Sequence, residues 1–226
     1  MEPSMTVFEK TKAWYKEQLE HFDLPGKAAF LGAEPFKQEH RISFLAEPFG
    51  VCGDAFFHEK GRPLSFSEEV VLCNYILRCP AQMPQKGGWI TWREVPGSGA
   101  LSVYVSTNAR KVIEKRFSND LFGLEKASRA LGGEILPSSG HDFSARFDLL
   151  PRIPLTLCFN FSGDDFPASC TLLFAEDVSH WLDTESLSIL AVLFAGKLTA
   201  SPLSCAVSTP KCNFNILAKK EAAVCS

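Results

Sequence analysis

The residues best suited to chemistry lie in two short segments. In Gly88-Trp89-Ile90-Thr91-Trp92-Arg93-Glu94-Val95-Pro96-Gly97, two indoles, a guanidinium and a carboxylate stand almost side by side. Indole faces beside a guanidinium suit a flat or acidic ligand. The competing reading is structural: Trp89 and Trp92 sit one helical turn apart and clamp a loop to the core, with Arg93 and Glu94 as caps or ion-pair partners. Aromatic side chains line cores more often than cofactor pockets, which favours packing. The second segment is Ser162-Gly163-Asp164-Asp165-Phe166-Pro167. Adjacent carboxylates can bind a cation, or act as acid and base when repulsion holds one pKa high. Yet Gly163 and Asp164 are natural turn residues, and Pro167 extends Phe166 so that a strand starts there. Neighbouring side chains of a strand face opposite ways, so the turn is preferred, with Asp165 the better functional candidate.

Other reactive residues are scattered. The five histidines, His21, His40, His58, His141 and His180, include no pair at metal-ligand spacing. The eight cysteines form no Cys-x-x-Cys pair, and several lie in apolar runs such as Leu157-Cys158-Phe159, where a thiol packs as a small hydrophobe. Reduced, metal-free thiols are the expectation. No nucleophile elbow, phosphate-cradling loop or dinucleotide fingerprint is present, and Gly97-Ser98-Gly99 is a turn. The net charge of −3 and pI near 6.0 give no reason to expect nucleic acid. The strongest basic cluster, Arg110, Lys111, Lys115 and Arg116, is interleaved with Val112, Ile113 and Phe117, and reads as the solvated face of a helix. Residues 1–20 carry no apolar leader core, and Leu187–Ala195 is too short to cross a bilayer. A cytoplasmic protein without a membrane anchor is therefore expected.

The elements around these segments follow from periodicity. Residues 6–22 form a helical stripe stopped by Pro25-Gly26, with a further turn at Ala28–Leu31. Arg41–Leu45 and Asp54–His58 read as a hairpin flanking Pro48, Gly50 and Gly53. Ser67 followed by two glutamates starts a helix that runs to Pro80. Residues 80–100 are turn-rich, and Asn108–Phe117 and Leu121–Leu131 read as helices. Phe143–Leu149, Pro154–Phe161 and Ala168–Phe174 are strands, and a helix capped by Asp183 or Thr184 is apolar nearly all round. Strands in consecutive runs predict a single α+β domain over 1–200. Its mostly antiparallel sheet, from residues near 41–58 and 143–174, packs against helices, with 184–198 as the main cover. With 19 Phe among 226 residues, the core should be ring-rich. Residues 201–226 read as a loosely packed C-terminal extension.

The segment Gly88–Gly97 resembles a signature of the domain-of-unknown-function family 3786. That signature runs Trp, Val or Ile, Ser or Thr, Phe or Trp, Arg, Glu, Leu or Val, Pro, Gly. Leu149-Leu150-Pro151-Arg152-Ile153-Pro154-Leu155 looks like the family's strand with two prolines. Asp164-Asp165-Phe166-Pro167-Ala168 followed by Leu172-Leu173-Phe174 looks like its third motif. The acidic residue closing that third motif is Glu176 or Asp177 here, offset by Ala175. The three motifs keep the family order, and the resemblance covers roughly residues 5–200. It implies no assigned activity. It does imply a possible partner, because some members are joined to iron–sulfur modules like those of corrinoid proteins; this chain lacks such a module's close-spaced cysteines.

Two functions compete. One is a non-catalytic ligand-binding or accessory module, for a corrinoid or related acidic cofactor or for a corrinoid or iron–sulfur protein. The other is an enzyme with a carboxylate site around Asp164 and Asp165, acting on a small anionic substrate held by Arg93 or Arg152. The missing catalytic motifs favour the module. The candidate ligand-binding residues are Trp89, Trp92, Arg93, Glu94, Arg152, Asp164 and Asp165.

Overall fold

The computed structural model describes residues 7–36, 39–52, 55–58, 61–137 and 140–200. The expected extension at 201–226, with Cys205, Cys212 and Cys225, lies outside the described residues.

After α1 (Val7–Glu20), Asp23 caps α2 (Leu24–Leu31) by accepting from the Gly26 N–H at 3.0 Å, and Gly32 ends it at φ 65°. A four-stranded antiparallel sheet follows, in the order β1 (Glu34–Phe36), β2 (Glu39–Phe44), β3 (Glu47–Cys52), β4 (Ala55–His58). The hairpin expected around Pro48, Gly50 and Gly53 is built differently. Pro48 and Gly50 belong to a central strand, and the turn before it is Leu45-Ala46, with φ of 50° and 62°. Gly50 serves pairing, not turning: a Cβ there would collide with the ring of Phe57, its cross-strand partner. The next helix, α3 (Phe66–Leu77), starts two residues earlier than Ser67 suggests. The Ser65 hydroxyl accepts from the Glu68 N–H while the Glu68 carboxylate accepts from the Ser65 N–H, a reciprocal box that fixes the start.

A second antiparallel sheet has the order β5-β9-β8-β7-β6. Its strands are β5 (Trp89–Thr91), β6 (Glu134–Ile135), β7 (Phe143–Leu150), β8 (Ile153–Asn160) and β9 (Ser169–Ala175). Between β5 and β6 lie 3-10 turns at Trp92–Glu94 and Ser98–Leu101, then a continuous helix from 102 to 117. That helix is α4 (Ser102–Val105), a π-helical stretch (Ser106–Arg110) and α5 (Lys111–Phe117); α6 (Leu121–Ala130) follows. Trp89 is thus a strand residue, and its spacing to Trp92 is not a helical turn. β9 starts at Ser169 and not at Phe166, which is 77% exposed in a loop closed by the Gly163 N–H donating to the Phe166 carbonyl at 2.9 Å.

The fold class is α+β, with two antiparallel sheets where the sequence suggested one. They meet where the Leu45 N–H donates to the Leu149 carbonyl at 2.8 Å. The last helix, α7 (Thr184–Ala200), is capped by Asp183, which accepts from the Ser186 N–H at 2.7 Å. Alternating residues of β7–β9, including Phe147, Leu155 and Phe174, face inward. Phe194 of α7 meets Phe147 edge-on at 4.8 Å, while other faces of α7 contact α3, the π-helical stretch, α5 and α6. Buried on nearly every side, α7 has no room for a polar stripe. One contiguous core runs from Leu19 to Leu198. No described helix is long and apolar enough to cross a membrane.

Candidate functional site

The site arises because β5 is short. It ends opposite Leu173, so Cys170, Thr171 and Leu172, paired with β8 on one side, continue along β9 with no described strand on the other. Exposed strand edges need partners for their N–H and C=O groups. The helix 102–117 supplies them at Cys170. Arg110 Nε donates to the Cys170 carbonyl at 2.6 Å, and Glu114 Oε1 accepts from the Cys170 N–H at 2.9 Å. These two side chains do locally what a neighbouring strand would do. The π-helical stretch that ends at Arg110 widens the helix here, a geometry uncommon in helices and recurrent at functional sites.

Between the end of β5, the edge of β9 and this helix lies a cleft of about 640 Å³. Arg93 reaches it from the turn after β5, and Arg110 and Lys111 from the helix. Thr91, Ser106, Thr107 and Thr171 bring hydroxyls; Trp92, Val105 and Leu172 form apolar wall. Trp92 is 7% exposed and packs edge-on against Phe174 at 6.0 Å, so it anchors the turn that carries Arg93. No Asp, Glu, His or Cys is among the lining residues. The Arg93 guanidinium and the Lys111 ammonium have no hydrogen-bond or ion-pair partner among the described residues, and both residues are exposed.

The nearest carboxylates are engaged elsewhere. Glu94 turns back on its own segment, accepting from the Thr91 N–H at 2.7 Å and the Thr91 hydroxyl at 2.9 Å. Those donors hold its carboxyl below the usual range, backbone hydrogen bond first. Glu114 is committed to Cys170 and stands 3.9 Å from Arg110. Burial, with Glu114 beside it, pushes the Cys170 thiol far up, which leaves it a packing residue and not a nucleophile.

Of the residues singled out from the sequence, Trp92 and Arg93 come together in the cleft. The others stand apart. Trp89 is on the edge strand, 44% exposed, with the Arg146 guanidinium 6.0 Å from its ring. Arg152 closes the end of α2, its Nε donating to the Phe30 carbonyl and its Nη2 to the Ala29 carbonyl, each at 2.7 Å. Asp164 and Asp165 are exposed in the β8–β9 loop and have no partner among the described residues. Arg152 precedes β8 and the two aspartates follow it, so about 23 Å of strand separates them at roughly 3.3 Å per residue. Sequence reasoning did not connect Arg110 and Lys111 to Arg93. Their signal was the basic run, but only these two of the four face the cleft, while Arg116 pairs with Asp120 at 3.2 Å. Among the described residues no group of three or more His, Cys, Asp or Glu is placed to hold a metal ion, and Cys52, Cys73, Cys79, Cys158 and Cys170 are free.

The family model for a domain of unknown function, DUF3786, matches residues 23–197, most of the chain and every residue of the cleft. The chain belongs to the DUF3786 family. No curated protein and no solved structure matches it. In this DUF3786 chain, two of the three segments that carried the resemblance serve architecture. Arg152 ties the second to α2, and the third forms the β8–β9 loop and β9. The Trp89–Glu94 segment brings Trp92 and Arg93 to the cleft, and the third segment adds Leu172 to its wall.

Proposed function

We propose that this DUF3786 chain is a non-catalytic module that binds a small anionic ligand in the cleft between β5, β9 and the helix 102–117. One observation carries the reading: three cations from two separate elements converge on a cavity lined by no carboxylate. Clustered cations repel one another, so an arrangement of this kind gains most when an anion enters. The volume of about 640 Å³ is that of a small-molecule site. The lining offers no carboxylate, imidazole or thiol to act as general base or to activate its hydroxyls, which supports binding over catalysis. The carboxylate-site alternative is less well supported, because Asp164, Asp165 and Arg152 do not line the cleft that Arg93 faces. A corrinoid or iron–sulfur protein, the partner carried by the family resemblance, is compatible with a module that holds a ligand without transforming it. The free thiols support a reducing, cytoplasmic setting.

Calorimetry and thermal melts at low ionic strength test the reading, with inorganic phosphate, sulfate and citrate as probes. At least one should bind saturably and raise Tm. The double variant Arg93→Gln/Lys111→Gln, at two exposed positions, should keep the unliganded Tm and lose about tenfold or more in affinity, since each lost charged hydrogen bond is worth roughly 1.5–3 kcal/mol. Equal binding by the variant, or no saturable binding of any probe to the native chain, would overturn it.

A further inference from the structure

Taking the anion site as its basis, we infer that the cleft is built for a phosphomonoester with an apolar body. The charge balance points that way. A carboxylate is planar, carries one charge and is satisfied by a single guanidinium fork. Here Arg93, Arg110 and Lys111 face one cavity and Glu114, 3.9 Å from Arg110, offsets about one of the three charges, so a lone carboxylate would leave about one positive charge uncompensated. A phosphomonoester carries about 1.5–2 negative charges at neutral pH and three strong acceptor oxygens directed to different sides. Donors in the cleft are likewise spread over three elements: Arg93 on the turn after β5, Thr171 on β9, and Arg110 and Lys111 on the helix. Arg110 is held in place before any ligand arrives, because its Nε is fixed to the Cys170 carbonyl at 2.6 Å. A donor fixed in this way loses less freedom on binding.

The cavity also exceeds what a bare phosphate fills. Beside its hydroxyls it has apolar wall, from Trp92 at the turn to Val103, which is 77% exposed at the helix start. An exposed valine beside a cationic cleft is satisfied by an apolar group on the same ligand, which removes its surface from water. The recognised molecule therefore has two ends, a tetrahedral dianion and an apolar body.

Calorimetry on the full chain at pH 7.5 and constant ionic strength tests this with phenyl phosphate, inorganic phosphate, benzoate and citrate. Phenyl phosphate should bind about tenfold or more tightly than each of the other three, a gap set by charged hydrogen bonds and apolar burial together. Arg93→Gln and Lys111→Gln should each weaken it about tenfold at unchanged Tm, and Val103→Ser should abolish its advantage over inorganic phosphate. Asp165→Asn should bind it as the native chain does. If benzoate or citrate matches phenyl phosphate, the phosphoryl assignment is wrong while the anion site stands. If inorganic phosphate matches it, the apolar body is wrong. If none of the four binds, the inference and the anion site fall together.

Discussion

At the residue scale, Glu68 and Arg152 show how polar groups of this chain are committed to architecture. Glu68 is 4% exposed, and burial alone would push its carboxyl up. The Arg62 fork, at 2.8 and 3.0 Å, and the Ser65 donors outweigh that and hold it at about 2. A folded-state pKa below the unfolded value of 4.5 means stability that is present above 4.5 and lost as pH falls toward 2. Glu68→Gln should therefore cost roughly 2–3 kcal/mol at neutral pH. Urea titrations should show its stability falling less steeply than the native protein's between those two pH values; parallel curves would refute the assignment. Arg152 makes an analogous tie to α2, so Arg152→Gln should lower stability by about 1–2 kcal/mol without changing anion affinity. A calorimetric loss of binding in a variant of unchanged Tm would instead place Arg152 in a binding site. Residue type alone marked Arg93 and Arg152 as equals. Only their surroundings separate them: one guanidinium opens on a cleft, the other is spent on two carbonyls.

At the scale of elements, the Leu45-Ala46 turn is where local sequence and local structure disagree most. A two-residue hairpin turn with both φ positive favours Asn-Gly, because a Cβ crowds the backbone there. Leu and Ala occupy it because the Leu45 side chain is 1% exposed and its N–H is bonded to Leu149 of the other sheet. Tertiary contacts thus hold a conformation that the residues alone would avoid, and no turn motif was available to read. Ala46→Gly removes one strained Cβ at an entropic cost smaller than the strain, and should stabilise by about 0.5–1 kcal/mol. A destabilised variant in urea denaturation would show that the turn is not strained. The start of α3 was misread for a related reason. Ser67 and Ser65 both precede glutamates, and only the reciprocal Ser65–Glu68 bonds decide between them. The three long strands and the final helix were legible, since their apolar runs are bounded by turn residues and fit one packing each.

For the whole molecule, Glu47 joins parts that the chain keeps far apart. On β3 it accepts from Arg62, ahead of α3, at 2.7 Å and from Lys197, on α7, at 2.6 Å. Glu47→Gln should loosen the first sheet before the second. Hydrogen exchange should then speed up at 39–52 while β7–β9 keep their protection, because weakly tied units open below the global unfolding energy. Uniform loss of protection would mean that both sheets and α7 unfold as a single unit. The cleft belongs to this scale too, since its cations come from a turn near residue 93 and a helix near residue 110. Local sequence determined the three long strands β7–β9, the helices α1, α3, α6 and α7, and that the fold is α+β. Those properties depend on side-chain period and on residues within a few positions of each other. Tertiary structure alone decided that β5 stops short, that the helix spends Arg110 and Glu114 on the exposed edge of β9, and that Arg93 and Lys111 face one cavity. A strand edge and the helix covering it are separated by some sixty residues here, and no periodicity reaches that far.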